Sequence, residues 1–125
     1  MSAPEQRPVL LVVDDEPRIL SALQRCLRRE GYEIVTADGA AAALRALRSR
    51  RIDALLTDHK MPGVSGLELI REVAGQWPRI PRILLTGWAA EVAPEELRRL
   101  GIRALVPKPW NDAELKAVLR EALGL

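Results

Sequence analysis

The residues able to do chemistry stand at the ends of apolar runs. Asp14 and Asp15 follow Val9-Leu10-Leu11-Val12-Val13, and Asp58 follows Ala54-Leu55-Leu56-Thr57. Thr86 follows Ile83-Leu84-Leu85, and Lys108 follows Ala104-Leu105-Val106-Pro107. Brought together, these groups would build a phosphoryl-accepting, magnesium-binding pocket. Three converging carboxylates repel one another, since two unit charges about 4 Å apart cost on the order of 4 kcal/mol at an effective dielectric of about 20. Such a cluster persists where something cationic belongs. The Lys108 ammonium is one candidate, and a hard divalent ion with oxygen ligands, Mg2+ with Mn2+ as its substitute, is the other. With neither His nor Cys in the set, zinc is disfavoured.

An aspartate can attack a phosphoryl group, and cations and donors must then offset the charge brought together. Mg2+ held by Asp15 and Asp58, with Asp14 acting largely through bound water, would serve, and Lys108 would pair with a phosphoryl oxygen. The Thr86 hydroxyl would donate to another oxygen, with Gly87 leaving room beside it. Lys108 lies between Pro107 and Pro109, and a cis bond before Pro109 would be one way to aim it.

Parallel strands are what place such groups on one edge. Runs of branched apolar residues read as strands buried on both faces, and ligands of open α/β sheets bind outside the strands' carboxyl ends. The expected strands are Val9–Val13, Tyr32–Ala37, Ile52–Thr57, Ile80–Thr86 and Ile102–Val106. Helices alternate with them: Pro17 to Glu30, stopped by Gly31; Ala40–Leu47; Leu67 to Ala74; and one opened by Asn111 and Glu114 and running to Leu123. Pro94 either starts a short fourth helix over Glu95–Leu100 or kinks a longer one begun near Ala89. Pro107 suits an edge strand. Five βα units with right-handed crossovers put helices on both faces of the sheet.

At 125 residues the chain suits one domain, residues 8–125, preceded by a flexible segment, residues 1–7. A hydrophobic share of 48% beside 29% charged residues is ordinary for a globular protein and argues against a disordered chain. No apolar stretch approaches the roughly 20 residues that span a bilayer, and Met1 to Pro8 has no signal-peptide pattern. The lone Cys26 fits a reducing, cytoplasmic setting and reads as a small core residue. The formal charge of +2 is spread as arginines along helices without interleaved aromatics, so a nucleic-acid surface is not expected.

The set Asp14-Asp15, Asp58-x-x-Met61-Pro62-Gly63-x-x-Gly66, Thr86-Gly87 and Lys108-Pro109 resembles the receiver domain of bacterial two-component response regulators, from about Pro8 to Leu123. The resemblance implies a doubly wound, flavodoxin-like five-stranded parallel sheet in order 2-1-3-4-5, flanked by five helices. It implies phosphotransfer to Asp58 from a sensor histidine kinase or phosphotransfer protein, slow self-catalysed hydrolysis, and altered binding to a downstream effector, with a phosphorylation-dependent dimer as a further option. Asp14 and Asp15 would be the acidic pair, Thr86 the switch hydroxyl and Lys108 the phosphate partner. The Lys60 backbone carbonyl would be a further metal ligand.

The sequence departs from that family at Leu105, three residues before the lysine, where receivers usually carry Tyr or Phe. Trp88 is a candidate substitute for the missing ring, against a plain place at the pocket mouth. Lys60, two after Asp58, sits where phosphoryl lifetime is tuned. His59 should point away from Asp58 by strand alternation, and Trp110 should cover the edge near the kinase-docking surface. The rival readings are a pseudo-receiver that docks partners without phosphate, and an aspartyl-phosphate hydrolase. The hydrolase chemistry wants Asp-x-Asp after the first strand, whereas this chain has Asp14-Asp15-Glu16.

Overall fold

The computed structural model describes residues 7–87 and 92–125. Strands and helices alternate from end to end: β1 (Val9–Val13), α1 (Pro17–Leu27), β2 (Glu33–Ala37), α2 (Ala40–Ser49), β3 (Ala54–Asp58), α3 (Gly66–Gln76), β4 (Arg82–Thr86), α4 (Pro94–Arg99), β5 (Ile102–Pro107) and α5 (Asp112–Ala122). All neighbouring strands pair in parallel, in the order β2-β1-β3-β4-β5. The expected sheet order holds, and β5 with its Pro107 lies at an edge.

Alternation along each strand divides the core into two layers. Val9, Leu11, Val13, Leu55 and Leu84 pack with α2, α3 and the buried Leu100 after α4. Leu10, Val12, Leu56, Ile83 and Leu85 pack against Leu23 and Leu27 of α1 and Leu115 and Leu119 of α5. The absent phenylalanine is made up by branched aliphatic side chains interdigitating from both sides.

Element ends differ from expectation for local reasons. α1 stops at Leu27, with the Glu30 N–H bonded to the Leu27 carbonyl and Gly31 at φ 96° turning the chain away. β3 begins at Ala54, because the preceding Asp53 carboxylate accepts the Val9 N–H at 2.8 Å. β4 begins at Arg82, after Pro81, which has no N–H to give. α3 is longer than expected, opening at Gly66 behind a full capping box of Ser65 and Glu68. For α5 the Asn111 side chain accepts the Glu114 N–H. The short form of α4, led by Pro94, is the one present. The start of the longer alternative falls on residues 88–91, outside the described residues, as do residues 1–6 of the expected N-terminal segment.

One buried residue had no place in the expected core. Arg82, only 8% exposed, is the first residue of β4. Its guanidinium donates to the carbonyls of Leu100 (3.1 Å), Pro78 (3.2 Å) and Ile80 (2.9 Å). Gly101, at φ 63°, leaves the space the guanidinium fills. Burial, and then the nearby Arg103 charge, pull its pKa below the ordinary value.

Candidate functional site

The carboxyl edge of the sheet gathers the residues singled out above. One carboxylate oxygen each from Asp14, Asp15 and Asp58 lies within 4.8 Å of the other two. Asp14 and Asp58 are buried and Asp15 is exposed, so the cluster has a wet side where a cation can enter. β1 delivers the first pair and β3 ends at Asp58, with the His59 N–H continuing the ladder to Leu85 at 3.0 Å. Behind Asp58, the Gly66 N–H donates to the His59 carbonyl at 2.8 Å. A Cβ on Gly66 would overlap the Asp58 carbonyl, so the start of α3 rests directly on the backbone of the acidic strand end.

Lys108 reaches into this cluster from β5. Its Nζ lies 2.8 Å from Asp58 Oδ1 and 3.4 Å from Asp14 Oδ2. Its own N–H is tied to the Thr86 carbonyl at 2.9 Å, and the Lys108-Pro109 bond is cis. Burial works against the ammonium, yet the Asp58 hydrogen bond and the charges of Asp14 and Asp58 outweigh it and raise the Lys108 pKa. The Asp14 pKa is raised as well, which for a carboxylate favours the neutral form. Burial raises its pKa, and the Asp58 charge adds to this, against the opposing Glu16 N–H bond (2.9 Å) and Lys108.

Thr86 is buried at the end of β4, and Gly87 is exposed beside it. Both line a cavity of about 540 Å3 that also takes in Asp15, Asp58, Lys60 and Lys108. His59, expected to point away, also borders this cavity. Leu105 is half-buried on β5 opposite Leu84 and packs against the core on the α2–α3–α4 side. Trp88 lies outside the described residues. Trp110 donates from Nε1 to Asp112 at 3.0 Å and walls a neighbouring hollow with Ile19 and Pro109. Cys26 is half-buried, and burial followed by contact with Asp112 raises its thiol pKa. Sequence reasoning did not single out Gly66 as the support of Asp58 or Arg82 as a buried clamp. The motif spacing held a signal for the first. For the second, an arginine just after Ile80-Pro81 gave none.

A doubly wound parallel sheet in this order, with an acidic cluster and a lysine at its carboxyl edge, defines a receiver-type signalling domain. The chain belongs to the response regulator receiver domain family, which it matches over residues 10–120. It is 33% identical over 120 residues to the hydrogenase transcriptional regulatory protein HoxA of Cupriavidus necator, covering 95% of this chain and 25% of that protein. It is also 33% identical over 119 residues to the DNA-binding transcriptional regulator NtrC of Escherichia coli, again 95% of this chain and 25% of the relative. The chain thus spans about a quarter of the length of these curated relatives. Among solved structures, it is similar to the signal receiver domain of an HD domain-containing protein from Pseudomonas fluorescens, with TM-score 0.87, 33% identity and coverage of 95% and 96% of the two chains. The response regulator TrrA of Thermotoga maritima, crystallised in complex with Mg2+-BeF, gives TM-score 0.85 and 35% identity over 93% of this chain and 99% of that one. No helix among the described residues is long and apolar enough to cross a membrane.

Proposed function

We propose that residues 8–125 act as a phosphorylation switch in which Asp58 accepts a phosphoryl group from a sensor histidine kinase or phosphotransfer protein. The observation that carries this reading is the three-carboxylate cluster bridged by Lys108, with Nζ 2.8 Å from Asp58 Oδ1. An Asp58 carboxylate oxygen attacks phosphorus, an O–P bond forms, and the bond to the donor breaks with its electron pair leaving on the donor. Asp15, Asp58 and the Lys60 carbonyl, with Asp14 through water, would hold Mg2+, or Mn2+ in its place. When bound, the cation offsets the negative charge that gathers on the phosphoryl oxygens. Lys108 follows the incoming charge by exchanging part of its contact with Asp58 for a phosphoryl oxygen, and Thr86 donates its hydroxyl to another. Drawing Thr86 and Lys108 inwards shifts α4 against β5, and with it the affinity for a downstream effector or a second copy. Slow hydrolysis at Asp58 resets the switch. The setting is the bacterial cytoplasm, with neither nucleic acid nor membrane as a direct partner of this domain.

The test is intact mass after incubation with acetyl phosphate, with and without Mg2+, on wild type and Asp58→Asn. The expected result is one added phosphoryl in wild type alone, and only with Mg2+. Labelling of folded Asp58→Asn would reject Asp58 as acceptor. No labelling of folded wild type would favour a pseudo-receiver that docks partners independently of phosphate, and steady turnover of a phosphomonoester would favour a hydrolase.

A further inference from the structure

A second cavity, of about 420 Å3, opens at the opposite end of the molecule, between the C-terminal ends of α2 and α3. Its volume is in the range of sites that hold small ligands or peptide side chains. Its floor is apolar, made by the buried Leu47 and Ile52 with the half-buried Ile80 and Trp77. Its rim is cationic, carrying Arg50, Arg51 and Arg79, all exposed. The wall from Trp77 to Ile80 is held in shape: the Ile80 N–H closes on the Trp77 carbonyl at 3.1 Å, and the buried Arg82 grips the Pro78 and Ile80 carbonyls. A preformed wall lowers the ordering cost of binding.

The rim arginines Arg50 and Arg51 are held by exposed contacts among the described residues. Arg50 pairs with Glu33 at 2.9 Å, and Arg51 pairs with Asp53 at 3.2 Å while donating to the Arg7 carbonyl at 2.7 Å. Both ion pairs are solvent-exposed, so they are weak and open to competition. Glu33 feels the charges of Arg7 and Arg51 as well as that of Arg50. Among the described residues, the rim of the apolar hollow therefore presents three exposed guanidiniums, those of Arg50, Arg51 and Arg79. Guanidinium forks favour carboxylates, and the hollow suits a branched aliphatic side chain. Trp77 is the one aromatic on the described wall, too little for base stacking along a strand.

We infer that this groove docks an acidic peptide segment, carboxylates on the arginine rim and an aliphatic anchor on the Leu47–Ile80 floor. The inference goes beyond the phosphorylation reading and is independent of it, because the groove lies at the end of the sheet remote from Asp58. Binding at this end holds a partner whatever the state of the acidic cluster.

The test uses a fluorescein-labelled hexapeptide, Glu-Leu-Asp-Glu-Ile-Asp, with anisotropy for affinity and backbone-amide NMR shifts for location. The expected result is saturable, salt-sensitive binding with shifts at residues 47–52 and 77–80. Joint replacement Arg50→Gln and Arg79→Gln weakens it about tenfold. Serine in place of the peptide's Leu and Ile also weakens it about tenfold. Asp58→Asn leaves it within about twofold. Shifts scattered over surface arginines, or equal binding of the serine peptide, would overturn the proposal in favour of a diffuse cationic patch. Tighter binding of a DNA oligonucleotide at these same residues would overturn it in favour of a nucleic-acid surface, and absence of saturable peptide binding would remove the site.

Discussion

Lys108 Nζ lies 2.8 Å from Asp58 Oδ1 and 3.4 Å from Asp14 Oδ2, so one ammonium ties the end of β3 to the end of β1. The bridge offsets the repulsion within the acidic cluster and, on the proposed phosphorylation reading, is also the contact that an arriving phosphoryl group would draw upon. Lys108→Ala is therefore expected to keep Mg2+ affinity within about threefold, since the lysine is no metal ligand, while phosphorylation of Asp58 ceases to alter effector binding. Calorimetric Mg2+ titration and effector affinity with and without beryllofluoride check both halves. An unchanged response in the variant would remove Lys108 from the switch. The pH sign follows from its raised pKa. The bridge contributes fully below the ordinary lysine value of 10.5 and is lost as pH rises through the higher folded value, so the stability gap between wild type and Lys108→Ala should narrow only in strong alkali.

Asp14 should stabilise the fold when neutralised. Its pKa is raised by burial and then by Asp58, so its ionisation opposes folding at neutral pH. Relief of about 1 kcal/mol of like-charge repulsion by Asp14→Asn would raise Tm by about 4 °C without divalent cation. The difference should close as pH falls through the folded pKa towards the ordinary 3.8, where wild type also becomes neutral. Added Mg2+ should reverse the ranking, stabilising wild type by mass action and the variant little. Calorimetric scans across pH, with and without Mg2+, decide the point. A lower Tm for the variant at neutral pH would contradict it.

Leu105 is half-buried on β5, at the position where the resemblance to receivers implies a ring. If an aromatic at this position strengthens the link between Thr86 and the α4–β5 side, Leu105→Tyr should increase the beryllofluoride-induced change in effector affinity about threefold, with acetyl phosphate labelling unaltered. An unaltered change in affinity would place the link elsewhere along the chain after Thr86.

Arg82 clamps three carbonyls, one of them at the C-terminal end of α4. Arg82→Met keeps length but removes every donor, leaving those carbonyls unserved, and should cost about 3 kcal/mol in urea unfolding. Amide exchange at residues 99–101 should quicken before the rest of the sheet loosens. Equal stability of the variant would mean that escaping the cost of a buried charge compensates for the lost bonds.

Much of this architecture was legible in the sequence because β1, β3 and β4 are buried on both faces and so are nearly continuous apolar runs. Asp14, Asp58, Thr86 and Lys108 were legible for a related reason, since a parallel sheet brings all carboxyl ends to one edge. Boundaries were less so. Whether Ile52-Asp53 joins β3 depends on Asp53 bonding to the distant Val9 N–H, a contact no local pattern announces. Arg82 escaped notice because an arginine beside a proline reads as a solvated turn. Its burial is decided by the carbonyls of Pro78, Ile80 and Leu100 and by space at Gly101, all fixed only once α4 and β5 have folded back.

The same arginine bears on how the strand finds its place. Ile83, Leu84 and Leu85 are apolar on both faces, so sliding β4 by one residue would exchange one greasy layer for another at little cost in burial. Hydrophobicity cannot then choose the alignment, in contrast to a strand with one wet face. What forbids the slip is punctuation: it would carry Arg82 to the α1–α5 side, away from its three carbonyls, and turn Thr86 away from the pocket. The polar residues that flank the apolar run of β4 thus act as stops that tell the strand where to halt, and Thr86 serves folding fidelity whatever else it does.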